Sequence, residues 1–258
     1  MGRQNPRTRL DPPRRGRLAP LVHRYAGAKT DRKQLGLATS PDGIRWTRSP
    51  ANPLLPEVWI EDVQIVRDGK RLLMVAEGEE DIAHALVSED GVRWRSEGPL
   101  DIRQADGRPI SAGPRGTPTQ HLHAGQRWLL YERNDAGVWL ARSADGKVWT
   151  NVSDEPVLKP GPDAYDRHAI AVDQVLTRGD WHYAYYHCTD AKPWKDWHTG
   201  VARSRDFKTW EKYPGNPIVR GVSSAQVVPD GDRFVLYSMH GEVRRHEPLP
   251  LRQMRAPK

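Results

Sequence analysis

Cysteine is almost absent from this chain, in which Cys188 is the only one among 258 residues. A single cysteine excludes an internal disulfide framework and any zinc site built from cysteines. Cys188 lies inside an aromatic, strand-like segment, so we interpret it as a small core residue rather than a nucleophile. A hydrophobic fraction of 37%, with 10 tryptophans, still provides enough apolar surface for a core.

Long apolar segments are missing as well. The N-terminal stretch MGRQNPRTRLDPPRRGRLAP lacks the apolar region of a signal peptide. This predicts a cytoplasmic protein, or a secreted or periplasmic one if the true start lies upstream. No stretch approaches the length that spans a bilayer, so no membrane partner is expected.

Acidic residues are too few to balance the basic ones, and the net charge is +7. Six arginines fall in the first 17 residues, and a basic arm of this kind can bind nucleic acid. The prolines among them favour a disordered tail, and no helix-turn-helix, RNP-like or zinc-finger pattern follows. We predict a disordered arm over residues 1–17, one domain over 18–250, a basic tail over 251–258, and no nucleic-acid partner.

One phrase occurs four times along the chain. Each copy has a serine, one further residue, an aspartate, usually a glycine, two more residues and then a tryptophan. The copies are LATSPDGIRW, LVSEDGVRW, ARSADGKVW and ARSRDFKTW, which end at Trp46, Trp94, Trp149 and Trp210. The tryptophans are 48, 55 and 61 residues apart, close to the length of one four-stranded propeller blade.

The phrase is typical of a hairpin in which an apolar strand ends, Asp-Gly turns the chain, and tryptophan opens the next strand. The four aspartates are therefore predicted to form turns rather than to act in catalysis. They are Asp42, Asp90, Asp145 and Asp206. The fourth copy has Phe207 where glycine is expected, which predicts a different turn there.

Two further strand-like runs precede each hairpin, and the ends of the second runs can be counted. They are VHRYAG, LMVAEG, WLLYER, YAYYH and VLYSMH. Five such ends predict an all-β fold, a five-bladed β-propeller with four-stranded antiparallel blades. The sequence before VHRYAG is too short for a full inner strand, so the first blade is predicted to be incomplete.

Propeller geometry restricts where a site can lie. Loops that enter the inner strands and loops that leave the second strands meet around the axis, on one face of the ring. The polar residues at these positions are Asp62, Glu77, Arg115, Thr117, Glu132, Asp166, His168, His187, Ser223, Ser224 and His240.

This set of residues suits glycoside hydrolysis, which needs one carboxyl group as general acid and another as base or nucleophile. Repulsion between clustered carboxylates raises one pKa, and histidine can take either proton role. The predicted catalytic residues are Asp62, Glu132, Asp166 and His168, and the rest are predicted to bind substrate. No cofactor and no metal ligand are predicted, although a divalent cation in the axial channel is compatible with the sequence.

The layout and several segments resemble the five-bladed propeller glycosidases of the arabinanase, invertase and levansucrase superfamily. The segments are GTPT, WLLYER, GVWLARS, YDRHAIAVDQV, AYYH, WEKYPGNPIV and LYSMH, and the resemblance runs from about residue 18 to 248. Within that superfamily the chain looks nearest to the neoagarooligosaccharide hydrolases. The resemblance implies acids at the starts of the inner strands, and Asp62 carries over as one of them, without the proline that often follows. Arg115 stands where a glutamate often precedes Gly-Thr-Pro, so Glu132 or a histidine would replace that acid.

The leading hypothesis is a glycosidase that acts on the end of an oligosaccharide or polysaccharide. Alternatives are a non-catalytic carbohydrate-binding propeller, a protein-interaction propeller, and a sialidase, whose turn has one more residue between Asp and Gly. For Asp166 the alternative is an ordinary turn residue after GPDAY. The sugar, the stereochemical outcome and the oligomeric state are not predicted.

Overall fold

A computed structural model describes residues 21–24, 33–110, 115–192, 195–230, 233–238 and 243–246. These residues form β-strands and two short 3-10 helices, Glu79–Asp81 and Ala164–Asp166. None of the described helices is long and apolar enough to cross a membrane. The prediction of an all-β chain is confirmed.

The strands form five sheets, each built around an antiparallel meander of consecutive strands. The first sheet contains β1 (Leu21–Arg24), β2 (Gln34–Thr39) and β3 (Thr47–Arg48). The second contains β4 (Glu61–Asp68), β5 (Arg71–Glu77), β6 (Ala83–Ser88) and β7 (Arg95–Pro99). The third contains β8 (Asp101–Arg103), β9 (Thr119–His123), β10 (Gln126–Glu132), β11 (Val138–Ser143) and β12 (Val148–Asn151), with β8 added parallel to β12.

The fourth sheet is the longest. It contains β13 (Ala169–Arg178), β14 (Trp181–Ala191), β15 (Lys195–Ser204), β16 (Glu211–Lys212) and β17 (Val219–Arg220). The fifth contains β18 (Gln226–Asp230), β19 (Arg233–Ser238) and β20 (Arg244–His246).

Four of the sheets have an innermost strand, namely β4, β9, β13 and β18, and each of these contacts the next along the chain. The first sheet differs from these four. Its strand β2 leads into a Ser-Asp-Gly hairpin, as the third strand of the other blades does, so β1 corresponds to a second strand. The described residues of this sheet therefore include no inner strand. Within the described residues the structure thus shows four blades with an inner strand in a propeller-like arrangement. A fifth complete blade is not confirmed.

The hydrophobic cores lie between successive sheets, as expected when blades pack face to face. The largest joins β10 and β11 to the fourth sheet, with Leu130, Ile170 and Tyr186 fully buried. A second core packs Trp149 of the third sheet against Val75 of the second. Two smaller cores join the first sheet to the second and the fourth to the fifth. Burial of these side chains, each stabilising by about 1.5–3 kcal/mol, fixes the sheets around the axis.

A glutamine on each innermost strand ties the inner strands together. The residues are Gln64, Gln120, Gln174 and Gln226. The Gln120 side-chain amide donates to the Gln64 carbonyl, and the Gln174 amide donates to Val227. The amides of Gln64 and Gln226 both donate to the carbonyl of Asp173. Since Gln64 belongs to the second sheet and Asp173 to the fourth, this contact crosses the ring.

The four repeated phrases form hairpins in which the aspartates organise the turns, as predicted. In the first copy the Gly43 N–H donates to the Ser40 hydroxyl over 2.8 Å, and the Arg45 N–H donates to Asp42 Oδ1 over 2.8 Å. The serine contact recurs in the second and third copies, and the aspartate contact recurs in all three of the other copies. The aspartates therefore organise turns far from the acids described below.

The prediction of a different turn at Phe207 is wrong. Phe207 takes the left-handed conformation of the glycine it replaces, with a φ of 62°, and the Asp206 side chain accepts the same backbone N–H groups as in the other copies. Its ring is 2% exposed and stacks on Trp128 with ring centroids 4.8 Å apart. Burial of a large aromatic ring thus outweighs a left-handed residue's cost of about 1–2 kcal/mol.

We expect Phe207→Gly to destabilise the protein although it removes the backbone strain. The loss of a buried aromatic side chain costs about 3–5 kcal/mol, and relief of strain returns about 1–2 kcal/mol. A net loss of about 2 kcal/mol should appear in urea unfolding monitored by tryptophan fluorescence. A variant as stable as the parent chain would show that the strain and the packing cancel.

Candidate active site

Two buried glutamates flank Gly116, between the second and third sheets. Glu77 ends β5 and Glu132 ends β10, and both side chains are less than a tenth exposed. A Cβ atom at Gly116 would lie 2.9 Å from Glu77 Oε2 and 3.5 Å from Glu132 Oε2. The two carboxyl oxygens are therefore no farther apart than the sum of those distances, which places both groups in one site.

Both glutamates are held by backbone N–H groups and have raised pKa values. The Thr117 N–H donates to Glu77 Oε2 over 2.6 Å, and the Asp135 N–H donates to Glu132 Oε1 over 2.5 Å. Burial, reinforced by Asp135 and Asp81, raises the pKa of Glu132 to about 7. Burial and then the Asp62 carboxylate raise the pKa of Glu77 well above its usual value. Burial raises both pKa values more than the predicted repulsion between carboxylates does.

Asp62 lies beside Glu77 at the start of β4. Its backbone is left-handed, with a φ of 45°, and the Thr117 hydroxyl donates to Asp62 Oδ2 over 3.4 Å. The preceding acid, Glu61, is instead paired with Lys33 at 3.1 Å and with the Trp59 indole N–H at 2.7 Å. Of the two adjacent acids, Asp62 is thus the one directed to the other carboxyl groups.

His187 adds an imidazole to the same site from β14. Its Nδ1 lies 2.6 Å from Asp173 Oδ1, and both side chains are almost completely buried. Burial alone would lower the pKa of His187, but the Asp173 carboxylate, together with Asp62 and Glu132, raises it. A β-bulge between Val172 and Gln174 directs Asp173 to the histidine, as bulges often do near active sites.

The loop before β18 contacts the pair formed by His187 and Asp173. The Ala225 N–H donates to the second oxygen of Asp173 over 3.0 Å. Ser223 is buried, and Ser224 is left-handed with a φ of 54°. Asp62, Thr117 and Ser224 are therefore left-handed residues at the entrances of three inner strands, where stored backbone strain is typical of functional sites.

His168 reaches the same region from the entrance of β13. Its Nε2 lies 3.9 Å from Asp135 Oδ2, and the Asp135 N–H binds Glu132. The predicted residues that the structure brings together are Asp62, Glu77, Thr117, Glu132, His168 and His187. Ser223 and Ser224 lie in the adjoining loop, whose Ala225 N–H binds Asp173.

Asp166 does not join this cluster. It lies in the 3-10 helix before β13, is fully buried, and pairs with Lys212 of the outer strand β16 at 2.6 Å. The Gly161 N–H donates to the Asp166 carbonyl, which closes the loop before β13. The structure thus corrects the predicted position of Asp166, because a charged residue at a strand entrance can be turned into the blade as well as towards the axis.

Among the described residues, no side-chain contact links the other two predicted residues to the carboxyl groups. Arg115 donates its backbone N–H to the Asp81 carbonyl, and its charge lowers the pKa of half-buried His84, an effect second to burial. Its Nε is buried and meets no acceptor among the described residues. His240 lies outside the described residues.

Three acids of the site were missed in the sequence: Asp81, Asp135 and Asp173. Asp81 and Asp135 follow Glu77 and Glu132 by a few residues and raise the pKa of Glu132. Asp173 interrupts the apolar run AIAV directly before Gln174. An aspartate inside an apolar run, directly before the glutamine that recurs on the inner strands, was the sequence signal that could have revealed it.

We expect Gly116→Ala to lower any activity of this site by at least about 10-fold. The new methyl group would lie 2.9 Å from Glu77 Oε2, so Glu77 must move away from the Thr117 N–H. Overpacking of this kind costs about 1–3 kcal/mol of stability. Turnover at saturating substrate, measured beside the melting temperature, checks this prediction. Unchanged turnover would show that the two glutamates do not act together.

The sequence matches no family profile and no curated protein. Solved structures do share the fold. A glycosyl hydrolase from Bacteroides ovatus superposes with a TM-score of 0.69 and 17% identity, over 91% of this chain and 84% of that one. A structure from the GH130 family, described as mannoside phosphorylases that include hydrolases of β-1,2 mannosidic linkages, gives 0.68 and 17% identity over 89% and 80%. An α-L-arabinofuranosidase from Clostridium thermocellum gives 0.59 and 10% identity over 86% and 78%.

These comparisons confirm the resemblance to propeller glycosidases at the level of the fold. The closer link to the neoagarooligosaccharide hydrolases stays a prediction. At such low identities the likeness carries no substrate and no mechanism, which must be argued from the residues of this chain.

Proposed function

We propose that this chain is a glycoside hydrolase that cleaves a sugar unit from the end of an oligosaccharide or polysaccharide by general acid–base catalysis. The observation that supports this most is the pair Glu77 and Glu132 around Gly116, with the pKa of Glu132 at about 7. A carboxyl group that is protonated near neutral pH can donate a proton to a departing sugar oxygen. The fold shared with glycoside hydrolases supports the same reaction class.

In this proposal Glu132 is the general acid. Asp62 is the second carboxyl group, which assists water or stabilises the positive charge that develops on the sugar ring. Glu77, held by the Thr117 N–H, keeps a proton beside Asp62 and hydrogen-bonds the sugar. His187, oriented by Asp173, and His168, beside Asp135, contact sugar hydroxyl groups. Asp166 is assigned no catalytic role.

One observation favours a different function, carbohydrate binding without cleavage. Arg115 occupies the position where the resemblance implies a glutamate, and its buried Nε meets no acceptor among the described residues. If Glu132 does not replace that glutamate, the site would bind sugars through Arg115 and leave them intact.

A panel of aryl glycosides and oligosaccharides, assayed with and without inorganic phosphate, tests the proposal. We expect release of a single sugar unit from one class of substrate, at a rate that phosphate does not change. Cleavage only with phosphate would contradict hydrolysis. Binding on a glycan array with no cleavage of the bound glycan would establish the carbohydrate-binding alternative.

A further inference from the structure

Three histidines meet on the face of the ring opposite to the acids. His121 and His123 lie at the end of β9, and His182 lies at the start of β14. Inner strands run away from the acids and second strands run back to them, so these positions belong to the far face. One ring nitrogen from each histidine lies within 4.8 Å of the other two. Among the described residues, no other group of His, Cys, Asp and Glu has this spacing.

Contacts behind the rings orient them, as in metal sites where a second group fixes each histidine. The Thr177 hydroxyl oxygen lies 2.9 Å from His121 Nε2 and 2.8 Å from His182 Nδ1. Phe207 stacks on the His182 ring with centroids 3.7 Å apart and fixes its plane.

The simpler alternative is an aromatic packing cluster. The ring contacts of His123 with His182, at 4.7 Å between centroids, and of His182 with Phe207 fit that interpretation. Packing alone does not require nitrogens of three rings to converge, nor one hydroxyl group to contact two of them.

We propose that His121, His123 and His182 form a binding site for a Zn²⁺ ion. Zinc binds imidazole nitrogens at about 2.0–2.1 Å in tetrahedral geometry, so the three rings would close slightly around it. The fourth position is left for water. Since β9 and β14 belong to the third and fourth sheets, the ion would cross-link two blades. This site is separate from the proposed hydrolase site.

Calorimetric titration of the untagged, metal-stripped chain with ZnCl₂ tests this proposal. We expect one ion per chain and a higher melting temperature with zinc, because an ion that binds only the folded state stabilises it. His123→Ala should weaken binding by at least about 10-fold, and Thr177→Val, which changes only the orienting contact, by about 10–100-fold. His246→Ala, a histidine of β20, and Asp135→Asn, an acid of the other face, are the matched controls and should bind like the parent chain.

Two outcomes of the titration would contradict the proposed zinc site. No zinc binding by the parent chain would leave the cluster as aromatic packing. Binding that survives both His123→Ala and Thr177→Val, or that Asp135→Asn abolishes, would place the ion elsewhere. Circular dichroism of each variant confirms the fold, and if His123→Ala does not fold, His123→Gln and Thr177→Val decide the question.

Discussion

Glu132→Gln should reduce hydrolysis by about 10²–10⁴-fold, the range typical of a lost general acid. Glutamine keeps the oxygen that accepts the Asp135 N–H, but its amide is not acidic and cannot protonate the departing sugar oxygen. In the parent chain kcat/KM should fall as pH rises above about 7, because Glu132 then loses its proton. That limb of the pH profile should be absent in the variant.

The same variant should change stability in a defined pH window. The folded-state pKa of Glu132 is about 7, above its unfolded value, so its contribution to stability is complete below about pH 4.3 and is lost as pH rises to 7. At pH 8 we expect Glu132→Gln to be more stable than the parent chain by about 3 kcal/mol, and this gain should shrink towards pH 4. Urea unfolding at both pH values measures the difference.

Glu155→Gln serves as the control, because Glu155 is a glutamate with an 82% exposed side chain. It should match the parent chain in activity and in pH dependence. Activity of Glu132→Gln within a few-fold of the parent chain, or an unchanged pH limb, would remove Glu132 from the proposed role.

Lys212→Met should destabilise the protein by about 3–5 kcal/mol without lowering activity per folded molecule. Lys212 is 2.6 Å from Asp166 Oδ2, and its removal leaves a fully buried carboxylate without its partner. Burial raises the pKa of Asp166 and Lys212 opposes that effect, so the loss should be largest at neutral pH and smaller in acid, where Asp166 takes up a proton. Thermal and urea unfolding at two pH values measure it.

The double variant Asp166→Asn with Lys212→Met should recover part of the stability, since no buried charge remains. Lys208→Met changes an exposed lysine of the same blade and should have little effect. A Lys212→Met variant as stable as the parent chain would contradict the structural role of this ion pair. A large loss of activity in folded Asp166→Asn would show that Asp166 acts in catalysis after all.

Local patterns predicted the parts of the fold that depend on neighbours in the chain. The Ser-Asp-Gly hairpins are closed by atoms two or three residues apart, so their sequence determines them. The way in which the first and last sheets meet depends instead on contacts between residues far apart in the chain. The Tyr237 hydroxyl donates to the Gly43 carbonyl 194 residues away, and no local pattern reports such a contact. The number of complete blades was therefore the weaker part of the prediction.

The site residues, too, could be predicted only where regular strand geometry determines their position. Glu77, Glu132 and His187 could be predicted because second strands end on one face, whatever their side chains contact. Asp166 and Asp173 could not, because a helical turn directs one into the blade and a bulge directs the other to His187. Which way a polar side chain points at an irregular position depends on backbone detail that hydrophobic alternation does not encode.

The contact between the Gln64 amide and the Asp173 carbonyl crosses the axis between the second and fourth sheets. Gln64 is two residues deeper along β4 than Asp62, so this contact lies below the acids. If the chain is the proposed hydrolase, the crossing contact favours entry of a polymer by its terminus over threading through the ring. The fragment bound deepest would then leave after the outer fragment, and widening the mouth of the site should speed its release, whereas changes on the far face should not.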